Sequence, residues 1–166
     1  MYYVGIDPGK KGGIAVIDVE HNSVKSLIKM PEDENKEELK EFLTSLAPLR
    51  DLVGIKVITE RPILKPHFIN KPCSRCRTMM KTAVMQQGVM TSLINYGIIL
   101  GFLYAYEIPF EEVESAKWKK AFKLDKDKSK SIKLAKQLFP SVTNDIKSHD
   151  GMAEALLIAE YGRRNL

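Results

Sequence analysis

Tyr2-Tyr3-Val4-Gly5-Ile6-Asp7-Pro8-Gly9-Lys10-Lys11-Gly12-Gly13-Ile14-Ala15-Val16-Ile17-Asp18-Val19 is the stretch that decides the fold. The near-continuous apolar run over residues 2–7 reads as a strand buried on both faces of a sheet. Residues 7–13 then have turn chemistry, because Pro8 fixes φ and the glycines permit positive φ. Residues 14–19 read as a second strand. His21-Asn22 supplies another turn before a third strand at 23–30, so the chain opens as an antiparallel meander. The start carries neither a basic segment nor a small-residue cleavage site, and reads as a strand, not a signal peptide.

Further along, Asn35 is placed to cap a helix with Glu37 and Glu38 in its first turn. Leu39, Phe42, Leu43 and Leu46 recur at helical spacing, and Pro48 is expected to close that segment. Residues 55–60 are rich in β-branched side chains and predict a fourth strand. Residues 61–78, with three prolines and no acidic residue, read as a loop. From Met79 to about Ala105 the pattern predicts one very apolar helix, with Met80, Val84, Met90, Leu93, Ile94, Ile98 and Leu103 covering more than one face. Met79, Met80, Met85 and Met90 are its adaptable part, and Gly88, Gly97 and Gly101 allow close helix approach. Residues 108–114 predict a fifth strand, and helices follow at 117–122, at 129–138, and from His149-Asp150 to Arg164. The order β-β-β-α-β-α-β-α-α makes residues 1–166 a single α/β domain. If the first and fourth strands are neighbours, Asp7 and Glu60 both stand at carboxyl ends of strands, where open α/β sheets place their sites.

Composition narrows the classes. The chain has 166 residues, 44% hydrophobic and 28% charged, enough for one packed core and too apolar for general disorder. Two cysteines exclude a disulfide framework and fit a reducing cytosol. No run of about 18 apolar residues free of charge is read here, which argues against a membrane-spanning helix. The net charge is +5 and unevenly spread: residues 1–60 carry 8 basic and 11 acidic side chains, residues 61–166 carry 18 and 10. A basic excess confined to one part of a chain fits a surface facing a polyanion, although lysine also serves solubility alone.

Four carboxylates stand out. Asp7 ends an apolar strand and opens a glycine-rich turn; Glu60 ends a strand in the same way. Asp150 and Glu154 are four apart and project from one face of a helix. Taken singly, Asp7 equally reads as a turn-forming side chain, Glu60 as a partner for Arg61 or a lysine, and Asp150 first as a helix cap. Together they suit a hard cation such as Mg²⁺, which takes oxygen ligands.

The segment Gly5-Ile6-Asp7-Pro8-Gly9, the strand-ending Glu60 and the closing His149-Asp150-Gly151-Met152-Ala153-Glu154-Ala155-Leu156-Leu157-Ile158-Ala159 resemble RuvC-type Holliday junction resolvases, with the small phage and poxvirus-related branch nearest. The resemblance implies a ribonuclease-H-like fold with a five-stranded mixed sheet flanked by helices, and a homodimer in the cytoplasm of a bacterium or a phage-infected host. It also implies a catalytic and metal-binding set of Asp7, Glu60, Asp150 and Glu154 holding two Mg²⁺ ions, with Mn²⁺ as a substitute. The final pair departs from the bacterial pattern: its spacing is four instead of three, and Gly151 falls opposite the expected acidic position. Asp150 is therefore expected to act from one residue earlier, with His149 either orienting a ligand or binding the metal transiently. The implied substrate is branched DNA, a Holliday junction or a related fork or flap, cut by paired nicks.

Arg61, Lys65, Lys71, Arg75, Arg77 and Lys81 lie close together without an acidic residue among them, and His67 and Phe68 could stack on a base or sugar. The resemblance implies that Phe68 or a neighbour is a wedge near the crossover. Lys117 and Lys119 begin a second basic run that reads either as DNA-facing or as solvated charge; Trp118 between them reads as a buried anchor. Cys73-Ser74-Arg75-Cys76 is a C-x₂-C pair, read as ordinary reduced thiols or, with further ligands, as zinc-binding. Two other readings stay open: a branched-DNA-binding protein without catalysis, and an actin-like phosphate-binding module, for which 166 residues are too few to hold two lobes.

Overall fold

Alternation along β1 (Tyr2–Asp7) divides the protein into two cores, because successive side chains of a strand point to opposite faces. Val4 and Ile6 face one core; Tyr3 and Gly5 face the other. The structure is a computed structural model describing residues 1–32, 36–52, 54–64, 67–84, 87–125 and 127–166; Asn35, Lys65, Met85 and Lys126 lie outside the described residues. β1 pairs antiparallel with β2 (Gly13–Asp18), which pairs antiparallel with β3 (Ser23–Lys29). On its other side β1 runs parallel to β4 (Ile55–Glu60), which β7 (Phe110–Val113) follows in parallel. The resulting order, β3-β2-β1-β4-β7, is the expected five-stranded mixed sheet with β1 and β4 adjacent.

One face is covered by α1 (Lys36–Leu52) and α2 (Gln87–Ala105), which seat Leu39, Leu43, Leu46, Ile99 and Leu103 on Val4, Ile6, Ile14 and Val57. The other face carries α3 (Ser115–Ala121), α4 (Lys128–Leu138), the four-residue α5 (Thr143–Ile146) and α6 (Asp150–Asn165). Every residue of α6 from Gly151 to Gly162 is buried, since the helix lies between the sheet and α4. Contact with β1 is backbone to backbone: a Cβ on Gly5 would stand 2.1 Å from the Ala155 carbonyl oxygen and 2.3 Å from the Ala159 nitrogen.

Three expectations need correction. Residues 67–84 form a β-ribbon, β5 (His67–Pro72) paired with β6 (Met79–Val84), where a loop and the start of a long helix were expected. The ribbon is exposed on both faces, so its pairing leaves no alternating apolar pattern, and the methionines imitate a helical stripe; Met79 and Met80 are in fact exposed. Pro48 does not end α1, which continues to Leu52 because Leu49 still packs on the core. By length and composition α2 is apolar enough to cross a membrane, contrary to the reading above. A helix lying on a protein core passes the same test: Thr91, Asn95, Ile99 and Leu103 seat α2 here, while Met90, Ile94, Ile98 and Tyr104 face outward.

Gly5→Ala is expected to lower stability by at least about 3 kcal/mol, since the added methyl meets backbone that no rotamer change can move. Urea unfolding followed by Trp118 fluorescence measures it; an unchanged midpoint would show that α6 can stand further from β1.

Candidate active site

β1 and β4 run parallel and adjacent, so their last residues, Asp7 and Glu60, emerge side by side at one end of the sheet. Asp7 Oδ1 accepts a hydrogen bond of 2.9 Å from the Gly9 amide, which fixes the carboxylate over the β1–β2 turn. Burial drives its carboxyl up to about 7, against the Gly9 hydrogen bond; the negative charges of Glu60 and Glu154 add to the rise and Lys128 opposes it. Burial also raises Glu60, and Glu154 adds to it, while hydrogen bonds from Trp118 and Ser115 and the charge of Lys119 oppose it. Trp118 is fully buried, as expected of an anchor, and its indole N–H donates to Glu60 Oε2 at 2.7 Å.

The α6 residues arrive from above the sheet. Glu154 is buried and accepts a 2.7 Å hydrogen bond from Lys119 Nζ. Asp150 is bonded by Lys128 Nζ. Burial pushes the Asp150 carboxyl up, yet the hydrogen bond and charge of Lys128 outweigh it and hold the group below the usual range. The capping role belongs to His149, whose Nδ1 accepts from the Met152 amide at 3.2 Å. Burial, with the charge of Lys29, keeps His149 below its ordinary pKa, and the accepting Nδ1 leaves the proton on Nε2.

Position 151 explains the four-residue spacing. A Cβ there would stand 1.8 Å from the Lys11 carbonyl oxygen and 2.6 Å from the Gly12 Cα, so no carboxylate fits. The nearest residue able to carry one without entering the β1–β2 turn is Asp150.

Asp7, Glu60 and Glu154 thus form one electrostatically coupled group, and Lys128 joins Asp150 to it by facing Asp150, Glu154 and Asp7 together. Among the described residues no three such side chains converge closely enough to hold one ion. The donor chemistry fits a hard divalent cation: carboxylate oxygens alone, one of them on a buried group whose ionisation burial opposes. Lys119 and Lys128 supply the compensating charge in the arrangement seen, so a metal would compete with both ammonium groups for the same oxygens. A cleft of about 300 Å³ opens on Asp7 and Glu60 between Pro62, Ile63 and the first turn of α2.

The expected DNA-facing residues divide by place. Phe68, Lys71 and Lys81 lie on the ribbon, with Lys81 Nζ 5.2 Å from the Phe68 ring centre, and Arg75 and Arg77 lie in its terminal turn. Arg61 pairs with Glu114 at 2.5 Å, and Lys117 is exposed on α3. Lys119 turns inward to Glu154 and is part of the site instead of its approach. The sequence reading did not single out Lys128 as a site residue, the hydrogen bond from Trp118 to Glu60, or Asn95, whose Nδ2 donates to the Pro8 carbonyl at 3.1 Å. An asparagine within an otherwise apolar helix was the one available signal.

In metal-free buffer Asp7→Asn is expected to be more stable than the parent above pH 7, by up to about 4 kcal/mol, and equal to it below pH 4. The sign follows from the raised pKa: the folded state holds the proton longer than the unfolded chain, so stability falls as pH rises from about 4 through 7. Urea midpoints at pH 4, 6 and 8 check this; a pH-independent difference would place Asp7 in solvent.

No family model and no curated protein matches the chain. Solved structures do. A T. thermophilus RuvC in complex with a Holliday junction substrate superposes with a TM-score of 0.59 at 18% identity, covering 99% of this chain and 95% of that one. A second Thermus thermophilus RuvC structure gives 0.51 at 18% identity, covering 99% and 96%. At that identity the likeness shows the fold: a ribonuclease-H-like sheet of five mixed strands with helices on both faces, shared with RuvC over nearly the whole of both chains.

Proposed function

We propose that the protein is a divalent-metal-dependent, structure-selective endonuclease that resolves Holliday junctions and related branched DNA by paired nicks. It would act in the cytoplasm of a bacterium or a phage-infected host, as the small phage and poxvirus-like motifs imply. The observation that carries this reading is the electrostatic coupling of Asp7, Glu60 and Glu154 at the carboxyl ends of β1 and β4 and on α6. A carboxylate trio packed against a basic α3–α4 surface has little use in a purely structural protein, where its mutual repulsion is only a cost.

Asp7, Glu60, Glu154 and Asp150 would hold the Mg²⁺ or Mn²⁺, which when bound activates water and stabilises the leaving 3′-oxygen of a phosphodiester. The chain's own residues prepare that site. The Gly9 amide and the Trp118 indole each hold one strand-end carboxylate, Asp7 and Glu60, in a set orientation, while Glu154 and Asp150 would have to leave their lysine partners. Released from Glu154 and Asp150, the ammonium groups of Lys119 and Lys128 would be free to pair with a phosphate of the substrate. Arg75, Arg77, Lys71 and Lys81 on the ribbon would contact the sugar–phosphate backbone, with Phe68 available to stack at a crossover. Symmetric nicking of two strands requires two sites. The outward face of α2, with Met90, Ile94, Ile98 and Tyr104 exposed, fits a self-complementary dimer contact.

A second reading, junction binding without cutting, is favoured by the ion pairs of Lys119 and Lys128, which already satisfy two of the four carboxylates. One assay separates them. End-labelled four-way junction and matched linear duplex are incubated with Mg²⁺ and with EDTA. Paired nicks on the junction alone, present only with metal and reduced more than about 100-fold in Asp7→Asn while binding persists, are the expected result. Binding with no cutting under Mg²⁺ or Mn²⁺ would establish the second reading.

The α2 contact has its own test. Ile94→Glu is expected to convert a dimer into an 18.8 kDa monomer by light scattering, because a charge at the centre of an apolar interface cannot be desolvated without a partner. A parent protein already monomeric at micromolar concentration would remove this surface from the proposal.

A further inference from the structure

The Cys73–Cys76 pair lies at the tip of the β5–β6 ribbon, away from the carboxylates. Residues 74–76 form the turn, closed by the Cys73 amide donating to the Thr78 carbonyl at 2.9 Å and the Arg77 amide donating to the Cys73 carbonyl at 3.0 Å. Arg77 holds φ +58°, a left-handed conformation uncommon for a non-glycine residue, and the pair of hydrogen bonds keeps it there. Within this turn Cys73 is half-buried and Cys76 exposed, and the two thiols hydrogen-bond to each other.

Two cysteine side chains three residues apart on one closed turn can supply half the ligands of a tetrahedral zinc site. The chain cannot complete that site alone. It has two cysteines and three histidines. His21 is bound to Asp18 at the β2–β3 turn, and His149 caps α6. His67 pairs with Val84 at the far end of the ribbon, six residues and about 20 Å of strand from Cys73. Among the described residues no third ligand joins the pair.

We propose that Cys73 and Cys76 form half of a Zn²⁺ site that a second copy of this chain completes with the same two cysteines, joining two ribbons tip to tip. Charge favours the pairing. Zinc with four thiolates carries a net −2, and each turn brings Arg75 and Arg77 to the same place, so four guanidinium groups surround the anionic centre. Without that centre the two basic tips repel. Among the described residues the ribbon's strands pair with each other and are exposed on both faces, an arrangement only marginally stable by itself. A metal at its tip ties the two strand ends together, in the way metal binding supplies folding energy to small domains. The inference does not rest on the nuclease reading.

The test is metal stoichiometry. Reduced protein is loaded with ZnCl₂, dialysed into metal-free buffer and assayed by mass spectrometry for zinc and with a thiol reagent for reactive cysteines. The expected result is one zinc per two chains, all four thiols unreactive until a chelator is added, and loss of zinc in both Cys73→Ser and Cys76→Ser with unchanged far-UV circular dichroism. In the Ile94→Glu background, zinc is expected to double the solution mass. One zinc per chain, zinc at buffer level, or thiols reacting equally with and without zinc would each overturn the proposal.

Discussion

At two points, Gly5 and Gly151, α6 meets β1 and the β1–β2 turn main chain to main chain with no side chain between, and the rest of the protein is arranged around these approaches. Gly5 lets the helix backbone lie on β1, and Gly151 lets its first turn lie on the β1–β2 turn. Distances this short cannot be recovered by repacking, because both partners are main chain. Their effect is to bring the N-terminal turn of α6 directly over the carboxyl ends of β1 and β4. Glu154 then enters the site from one side while Asp7 and Glu60 enter from another. Alanine-rich residues 153–159 serve the same end, since small side chains let a buried helix sit between sheet and α4 on both sides.

Bringing acidic groups together in a partly buried place has an electrostatic cost, and the protein meets it in two ways. Asp7 holds its proton into the neutral range, and Lys119 and Lys128 bring their charges in from α3 and α4. Both lysines come from the segment after β7, so a stretch that reads as general basic surface divides into residues facing inward and residues facing solvent. Lys117 and Lys120 belong to the second group, and Lys119, one residue from each neighbouring face, to the first.

What could be read from the sequence follows from locality. The opening strand, its glycine turn, Glu60 at a strand end and the final helix were legible because each is signalled by periodicity or turn chemistry within a few residues. The β5–β6 ribbon was not, since strands exposed on both faces carry no apolar period, and Met79 and Met80 fitted a helix equally well. Pro48 was read by its local rule, which the packing of Leu49 overrides. Ion pairs from Lys119 and Lys128 and the hydrogen bond from Trp118 join segments 22 to 58 residues apart, and nothing near each residue announces its partner. The odd spacing of Asp150 and Glu154 was visible as a departure, but its cause, the Lys11 carbonyl against position 151, exists only in three dimensions.

The ribbon shares almost none of its surface with the two cores, and this separates two kinds of sequence change. A substitution in β1 or α6 alters folding and site geometry together, because the same atoms serve both. Substitutions among residues 67–84 leave the scaffold's free energy nearly untouched, since few of their side chains are buried in it. The arm can therefore drift, lengthen or be exchanged between lineages at little cost to the carboxylate site. A change in the ribbon does not have to pass through an unstable ancestor.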